Sequence, residues 1–247
     1  MAYPEFDSPL KYEAAAGKAL EYHPAGWPAS QESPALPGSA ASEPDTSSSD
    51  RNSAAGDALV TSEPGILLSV RTADCLPVLV ADVKLRALAA VHAGWRGALA
   101  RVIEKTVGEM RRIFRSAPQN LVAALGPAIG CCCYEVGDEV VDAFRTQFAE
   151  CDNFFCPPPP EREGEYSRSR YSLLFHTQAP PGHRRERPNL HLDLAGVAHA
   201  QLIGAGLKAS AIHHSGYCTA CSADLFFSYR RDGAQAGRMM AVIGVRE

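Results

Sequence analysis

The stretch TADCLPVLVADVKLRALAAVHAGWRG, residues 72–97, decides how this chain folds. Residues 76–81 and 87–91 are two apolar, β-forming segments, and the only polar break between them is DVKLR. Two such segments around a short break predict a β-hairpin, whose tight turn we place at Val83-Lys84. In that register Cys75 faces His92, with the two Cβ atoms about 5 Å apart on one face of the sheet.

A thiol and an imidazole at that separation allow three interpretations. Both groups are ordinary ligands of Zn²⁺. They also make a nucleophile pair, in which the imidazole activates the thiol. The third interpretation is structural, because cysteine is among the most buried residues and a histidine that ends a strand is often only hydrogen-bonded. The pair by itself leaves all three open.

The turn after His92 predicts an anion site beside the pair. In HAGWRGALARV, residues 92–102, Gly94 and Gly97 flank Trp95-Arg96 and a helix follows. Backbone N–H groups at the start of a helix favour an anion such as phosphate, and Arg96 adds a bidentate contact. Further substrate candidates lie outside this turn. Arg71 is a candidate for binding phosphate, and Phe226 and Phe227 are candidates for stacking on a purine. Tyr229, Arg230 and Arg231 are candidates for polar contacts. The alternative for FFSYRRDG, residues 226–233, is an amphipathic strand without a role in binding.

The rest of the chain predicts a mixed α/β (α+β) fold. Apolar stripes predict helices over residues 98–114 and 192–207, and RMMAVIGV, residues 238–245, predicts a last strand. Strands that interleave with helices favour one domain, residues 57–247, of mixed sheet layers with packed helices. We expect an irregular excursion at about 156–188. Residues 1–56 read as a divergent leader, whose Ser/Pro/Ala-rich part (28–56) lacks the apolar surface to form a core.

Composition narrows the class of protein. The chain has 247 residues, of which 46% are hydrophobic and 21% charged, and its net charge of −4 gives no reason to expect a nucleic acid or a membrane surface as partner. No apolar run is long enough for a transmembrane helix, and the first residues lack the basic and apolar regions of a secretory signal. The eight cysteines are therefore expected to be reduced, in a cytoplasmic protein.

Most of the other cysteines and histidines predict no site. The three cysteines of GCCCYEV, Cys131 to Cys133, read as small buried or loop residues, and CTAC (Cys218, Cys221) has no second pair to complete a metal site. His213 and His214 read as loop or strand-end residues. We expect His176, His183 and His191 to be solvated.

Five segments also resemble the successive signature blocks of the laccase-domain proteins. They are TADCLPVL, AAVHAGWRG, LGPAIGCCCYEVGDEV, YCTACSADLFFSYRRDG and GRMMAVI, in the family's order and over most of residues 57–245. These proteins were described as multicopper polyphenol oxidases and are now read as purine nucleoside phosphorylases with adenosine deaminase activity. The resemblance implies an α/β fold whose pocket holds one zinc ion.

The resemblance also implies a ligand set. The zinc ligands of the family are a histidine in an early Q-V-H-G-like motif, the cysteine of the A-D-C block and the histidine of V-H-A-G-W-R-G. The last two match Cys75 and His92. No Q-V-H-G occurs here, so His23 in LEYHPAGW is the candidate for the third ligand, and without it the site is incomplete.

The implied reactions are phosphorolysis and deamination. Inorganic phosphate attacks C1′ of adenosine, inosine, guanosine or methylthioadenosine, and zinc activates the water that attacks C6 of adenosine. Three rival hypotheses remain. A copper polyphenol oxidase would need His-x-His pairs that the chain lacks. A cysteine hydrolase would use Cys75 with His92, and a non-enzymatic, metal-poor scaffold would use neither.

Overall fold

The structure, a computed structural model, describes residues 56–157 and 190–246. Several predictions of the sequence lie outside these residues. They are the leader, His23, and nearly all of the expected excursion with His176 and His183.

A five-stranded sheet forms the centre of the fold. Its strands are β1 (Ala58–Thr61), β3 (Leu76–Asp82), β4 (Leu88–Ala93), β5 (Leu121–Leu125) and β9 (Ile212–His214), in the order β1-β4-β3-β5-β9. Every neighbouring pair is antiparallel except β5 and β9. Two smaller sheets complete the strands: β2 (Leu67–Thr72) pairs with β10 (Met239–Gly244), and β8 (Leu190–Leu192) lies between β6 (Glu135–Val136) and β7 (Phe155–Cys156).

The central sheet is covered on both faces. The helices are α1 (Trp95–Leu99), α2 (Val102–Phe114), α3 (Asp138–Gln147), α4 (Leu194–Gly204) and α5 (Tyr229–Asp232), with short 3₁₀ turns at Pro118–Asn120, Cys151–Phe154, Ala209–Ala211 and Gly233–Gln235. On one face, Val78 and Val91 lie in a buried cluster with Ile103 of α2 and Leu202 of α4. On the other face, Leu88 and Ala90 pack with Leu68 and Val70 of the β2–β10 ribbon. The predicted mixed α/β class is therefore confirmed.

The hairpin forms, but the predicted register is wrong by two residues. His92 pairs with Pro77, so Cys75 lies diagonally from His92 on the same face of the sheet. The turn is longer than Val83-Lys84 because Oδ1 of Asp82 accepts the N–H groups of Lys84 and Leu85 at 2.9 and 3.0 Å. An aspartate that holds its own turn in this way favours four loop residues over two.

The predicted helices also differ in their bounds. The helix expected over residues 98–114 is two helices, since Arg101 adopts a left-handed conformation (φ 59°) between α1 and α2. Its guanidinium lies over the ring of Phe148, 4.5 Å from the centroid, and also pairs with Glu104. The helix expected over 192–207 begins later, because the side chain of Asp193 accepts the N–H of Gly196 and caps α4.

Two expectations about cysteine and histidine are wrong. Cys131 and Cys156 form a disulfide, although all cysteines were expected to be reduced. His191 was expected to be solvated, yet it is buried and its Nδ1 donates to the carbonyl of Cys131 at 2.6 Å. The disulfide and the burial of His191 both follow from the β6–β8–β7 sheet. In this sheet His191 pairs directly with Cys156, which brings the turn after β5 against β7.

None of the helices in the described part of the chain has both the length and the apolar character to cross a membrane.

Candidate functional site

Cys75 and His92 line a cavity of about 520 Å³ at the end of the β3–β4 hairpin. The cavity lies where the β2–β10 ribbon, α1, the turn after β5, and α5 meet. Its wall consists of residues 71–75, His92, Trp95, Arg96, Ile129, Tyr134, Leu194, Tyr229, Arg230 and Arg238. A pocket of this size suits a small-molecule ligand.

His92 is oriented by Asp57, the residue before β1. Its Nδ1 donates to Oδ1 of Asp57 at 3.0 Å, and its backbone N–H donates to the Asp57 carbonyl at 2.7 Å. The hydrogen bond to Asp57, followed by one to Cys75, raises the pKa of His92 to about 10 against the opposing effect of burial. Nδ1 is thus occupied, which leaves Nε2 for the thiol of Cys75 or for a metal ion.

Gly94 allows the sulfur of Cys75 to lie against the backbone of the following turn. A Cβ atom at Gly94 would be 3.1 Å from the Cys75 sulfur. A larger residue would therefore require the thiol to shift by a few tenths of an ångström. At Gly97 a Cβ would meet Val102 at 3.4 Å and the His92 carbonyl at 3.6 Å, which are ordinary contact distances, and this glycine is not among the residues that line the cavity.

Four arginines and one carboxylate give the cavity a positive lining. The arginines are Arg71, Arg96, Arg230 and Arg238, and the carboxylate belongs to Asp74. The guanidinium of Arg96 stacks on Trp95 at 4.4 Å, and that of Arg230 donates twice to the Glu135 carbonyl at 3.0 Å. Such a lining favours an anionic ligand.

Asp74 is buried and ties three segments together. Its Oδ1 accepts the hydroxyl of Thr219 at 2.6 Å, and its Oδ2 accepts the N–H of Arg230 at 2.6 Å. Its carbonyl accepts the N–H of Ile129 at 2.9 Å. The residue takes a left-handed φ of 85°, which is uncommon outside glycine and places its carboxylate under α5.

Aromatic rings also line the cavity. Burial raises the pKa of Tyr134 to about 12, and Arg230 lies 5.3 Å from the centroid of its ring. Tyr229, one of the predicted substrate residues, lines the same space.

Phe226 and Phe227 do not line it. Phe226 contacts Tyr217, and Phe227 packs on Gly237, where a Cβ would lie 2.7 Å from the ring. The sequence alternative of a strand at this point is wrong, because residues 229–232 form α5, capped by the side chain of Ser228.

A second group of ligand atoms lies outside the cavity. We call it the tetracysteine cluster: Cys132, Cys133, Cys218 and Cys221, whose sulfur atoms all lie within 4.8 Å of one another and could hold a metal ion. It is the one group of three or more His, Cys, Asp or Glu ligands among the described residues. Burial, and then hydrogen bonding with Cys221, raises the pKa of Cys132. Burial acts to raise the pKa of Cys218 as well, but the N–H groups of Gly130 and Cys221 outweigh it and lower that pKa.

Comparison with known proteins then assigns the chain to a protein family. A family model described as multi-copper polyphenol oxidoreductase laccase matches residues 39–246. The chain belongs to this family. A purine nucleoside phosphorylase from Deinococcus radiodurans is 40% identical over 190 residues, which are 77% of this chain and 61% of that protein. An adenosine deaminase from an unknown prokaryotic organism is 34% identical over 182 residues, 74% of this chain and 59% of that protein.

A solved structure of similar sequence has the same fold. The hypothetical protein YfiH of Bacillus licheniformis superimposes with a TM-score of 0.64 at 32% identity, covering 78% of this chain and 62% of its own. The chain thus spans about three fifths of the length of the relatives that it matches.

Sequence reasoning missed several residues that build this site. In the sequence Asp57 is only the first residue of the predicted domain, and Asp74 is only the neighbour of Cys75. Tyr134 and Arg238 lie inside matched blocks but carried no chemical signal by themselves. Asp57 acts through His92 and Asp74 through Arg230, both distant in sequence, and spacing along the chain does not reveal such partners.

Proposed function

We propose that the cavity is the active site of a zinc-dependent purine nucleoside phosphorylase that also deaminates adenosine. The observation that carries the proposal is the placement of Cys75 and His92 side by side in the wall of an arginine-lined cavity. The names of the relatives support the same reaction class.

The donor atoms fit two positions of a zinc site. Thiolate and imidazole are ordinary zinc ligands, and the Asp57–His92 hydrogen bond is the outer partner that a zinc-bound histidine usually has. A third protein ligand is needed, and His23 is our candidate for it. Zinc bound there would act as a Lewis acid beside the purine ring.

The side chains of the cavity supply the other requirements of phosphorolysis. Arg71, Arg96 and Arg238 line the cavity, and in this proposal they bind inorganic phosphate next to the ribose, so that a phosphate oxygen can attack C1′. The purine then leaves with the electron pair of the broken C1′–N9 bond. The rings of Tyr134 and Tyr229 offer faces on which the base can stack.

The test is the release of ribose 1-phosphate from inosine and phosphate, and of ammonia from adenosine, by the full chain loaded with zinc. We expect both products, and we expect Cys75→Ser to remove both. Cys151→Ala is the matched control, because Cys151 is buried beside Asp152 and does not line the cavity. Loss of activity in the control alone, or turnover that persists in Cys75→Ser, would overturn the assignment.

A separate observation favours a second candidate function, that of a cysteine hydrolase. Asp57, His92 and Cys75 form a carboxylate–imidazole–thiol series, which is the arrangement of a cysteine hydrolase. A metal chelator separates the two candidates. Chelation abolishes a zinc-dependent phosphorylase and leaves a thiol-dependent hydrolase active.

A further inference from the structure

The tetracysteine cluster joins two turns that are far apart in the sequence. Cys132 and Cys133 belong to the turn that follows β5, and Cys218 and Cys221 to the segment that follows β9. The N–H of Thr219 donates to the carbonyl of Ala128 at 3.0 Å, so the two segments also touch through their backbones. The sequence separation, 88 and 89 residues for the sulfur contacts, explains why no motif revealed the group.

We propose that the tetracysteine cluster is a second metal site, which binds a structural Zn²⁺ through four thiolates and is separate from the cavity pair Cys75 and His92. Tetrahedral zinc with bonds of about 2.3 Å holds its sulfur ligands about 3.8 Å apart. The sulfur of Cys221 lies 3.5 Å from that of Cys132 and 3.4 Å from that of Cys133, and no pair is farther apart than 4.8 Å. These distances bracket the spacing that the ion requires.

The spacing of the ligands along the chain also suits zinc. Cys218 and Cys221 are separated by two residues, which is a common arrangement in structural zinc sites. Because β5 and β9 are parallel neighbours, the turns that follow them leave the sheet at the same edge. Cys132 and Cys133 thereby take the place of the second Cys-x₂-Cys pair.

Gly130 provides an independent sign that the cluster is built for close sulfur packing. A Cβ atom there would lie 3.2 Å from the Cβ of Cys218, 3.4 Å from the sulfur of Cys132 and 3.5 Å from that of Cys218. The N–H of Gly130 donates to the sulfur of Cys218 at 3.2 Å. Glycine at this position leaves the sulfur atoms room to converge and directs a donor at one of them, as a negatively charged ligand requires.

The place of the cluster indicates a structural role. None of its four residues lines the cavity, yet Tyr134 follows Cys133 directly and Thr219 lies between Cys218 and Cys221. Tyr134 forms part of the cavity wall, and Thr219 donates to Asp74 beneath α5. A metal ion in the cluster would fasten both turns and so hold the wall in place, with four protein ligands and no open position for substrate.

The experiment measures metal in the full chain with the cavity site removed. In a Cys75→Ser background we expect about one equivalent of zinc, and after replacement by Co²⁺ an intense thiolate-to-cobalt charge-transfer absorption. Adding Cys221→Ser should remove both signals, because this sulfur contacts Cys132 and Cys133. Adding Cys151→Ala instead, a buried cysteine outside the cluster, should leave both unchanged.

A second measurement needs no substitution in the cluster. A mercurial thiol reagent is added to the folded Cys75→Ser protein, and zinc release is counted with a chromophoric chelator. We expect release of about one equivalent as the four thiols react. Unchanged zinc content in Cys221→Ser, disulfides among the four cysteines, or iron–sulfur absorption in the purified protein would each overturn the proposal. Absence of phosphorolysis in the unsubstituted chain, with the zinc of the cluster retained, would count against the proposed function alone.

Discussion

The cavity pair and the tetracysteine cluster lie next to each other and differ in the properties that separate a reactive site from a structural one. Ile129 lines the cavity, and the next residue, Gly130, touches the cluster. In the cavity the described residues supply one thiol and one imidazole, surrounded by arginines and open space. In the cluster four sulfurs lie within 4.8 Å of one another, close enough to be the four ligands of one metal ion. Catalytic zinc sites keep an open position and structural sites do not, so the two places suit different roles for the same metal.

The largest expected effect is that of His92→Ala. We predict that kcat/KM for phosphorolysis of inosine falls by more than about 100-fold. Mutation of a residue that is only hydrogen-bonded to a metal ligand already lowers activity by about 10- to 100-fold, and His92 is a proposed ligand itself. The thiolate absorption of cobalt in the tetracysteine cluster should be unaffected. His199→Ala, which alters a half-buried histidine that is hydrogen-bonded to His214 and does not line the cavity, is the control and should keep full activity. An active His92→Ala protein would mean that the cavity pair is not the reactive site.

Asp57→Asn should have the next largest effect. The substitution keeps the size of the side chain but removes the charge that holds the Nδ1 proton of His92. We predict a loss of about 10- to 100-fold in the zinc affinity of the cavity, measured by competition with a chromophoric chelator. The zinc of the cluster should not change, and equal losses at both sites would show that the mutation acts through general unfolding.

The cavity pair and the tetracysteine cluster could be predicted from the sequence to different degrees. Cys75 and His92 were found because they lie on neighbouring strands of one hairpin, and even with the register wrong by two residues they stay on one face. The error came from Asp82, whose side chain lengthens the turn. The cluster could not be found in this way, because Cys132 meets Cys221 only through the pairing of β5 with β9. The break at Arg101 depends likewise on tertiary contacts, here with Phe148.

Replacing a glycine by alanine should have opposite effects on stability in the cluster and on a helix surface. Gly130→Ala would crowd the sulfurs of the cluster, so we predict a loss of about 1 to 3 kcal/mol in the free energy of unfolding by urea. Gly108→Ala in α2 has no atom within 4 Å of its new Cβ and should stabilise the protein by about 0.5 to 1 kcal/mol. The same sign for both substitutions would contradict the close packing of the cluster.

Arg96→Ala should have the smallest effect on the reaction. Its guanidinium lines the cavity and stacks on Trp95, so we predict that the KM for phosphate rises by about tenfold or less while kcat changes little. Arg112→Ala, on the exposed side of α2 beside Glu109, is the control. A fall in kcat at unchanged KM would place Arg96 in a different step from phosphate binding.

The most direct test of the central claim is a joint measurement on the zinc-loaded full chain, in which zinc content and ribose 1-phosphate formation from inosine and phosphate are followed together. We predict that ribose 1-phosphate forms, and that a chelator which removes the cavity metal stops its formation while zinc remains in the tetracysteine cluster. A fully zinc-loaded protein that releases no ribose 1-phosphate, or one whose turnover survives loss of the cavity metal, would contradict it.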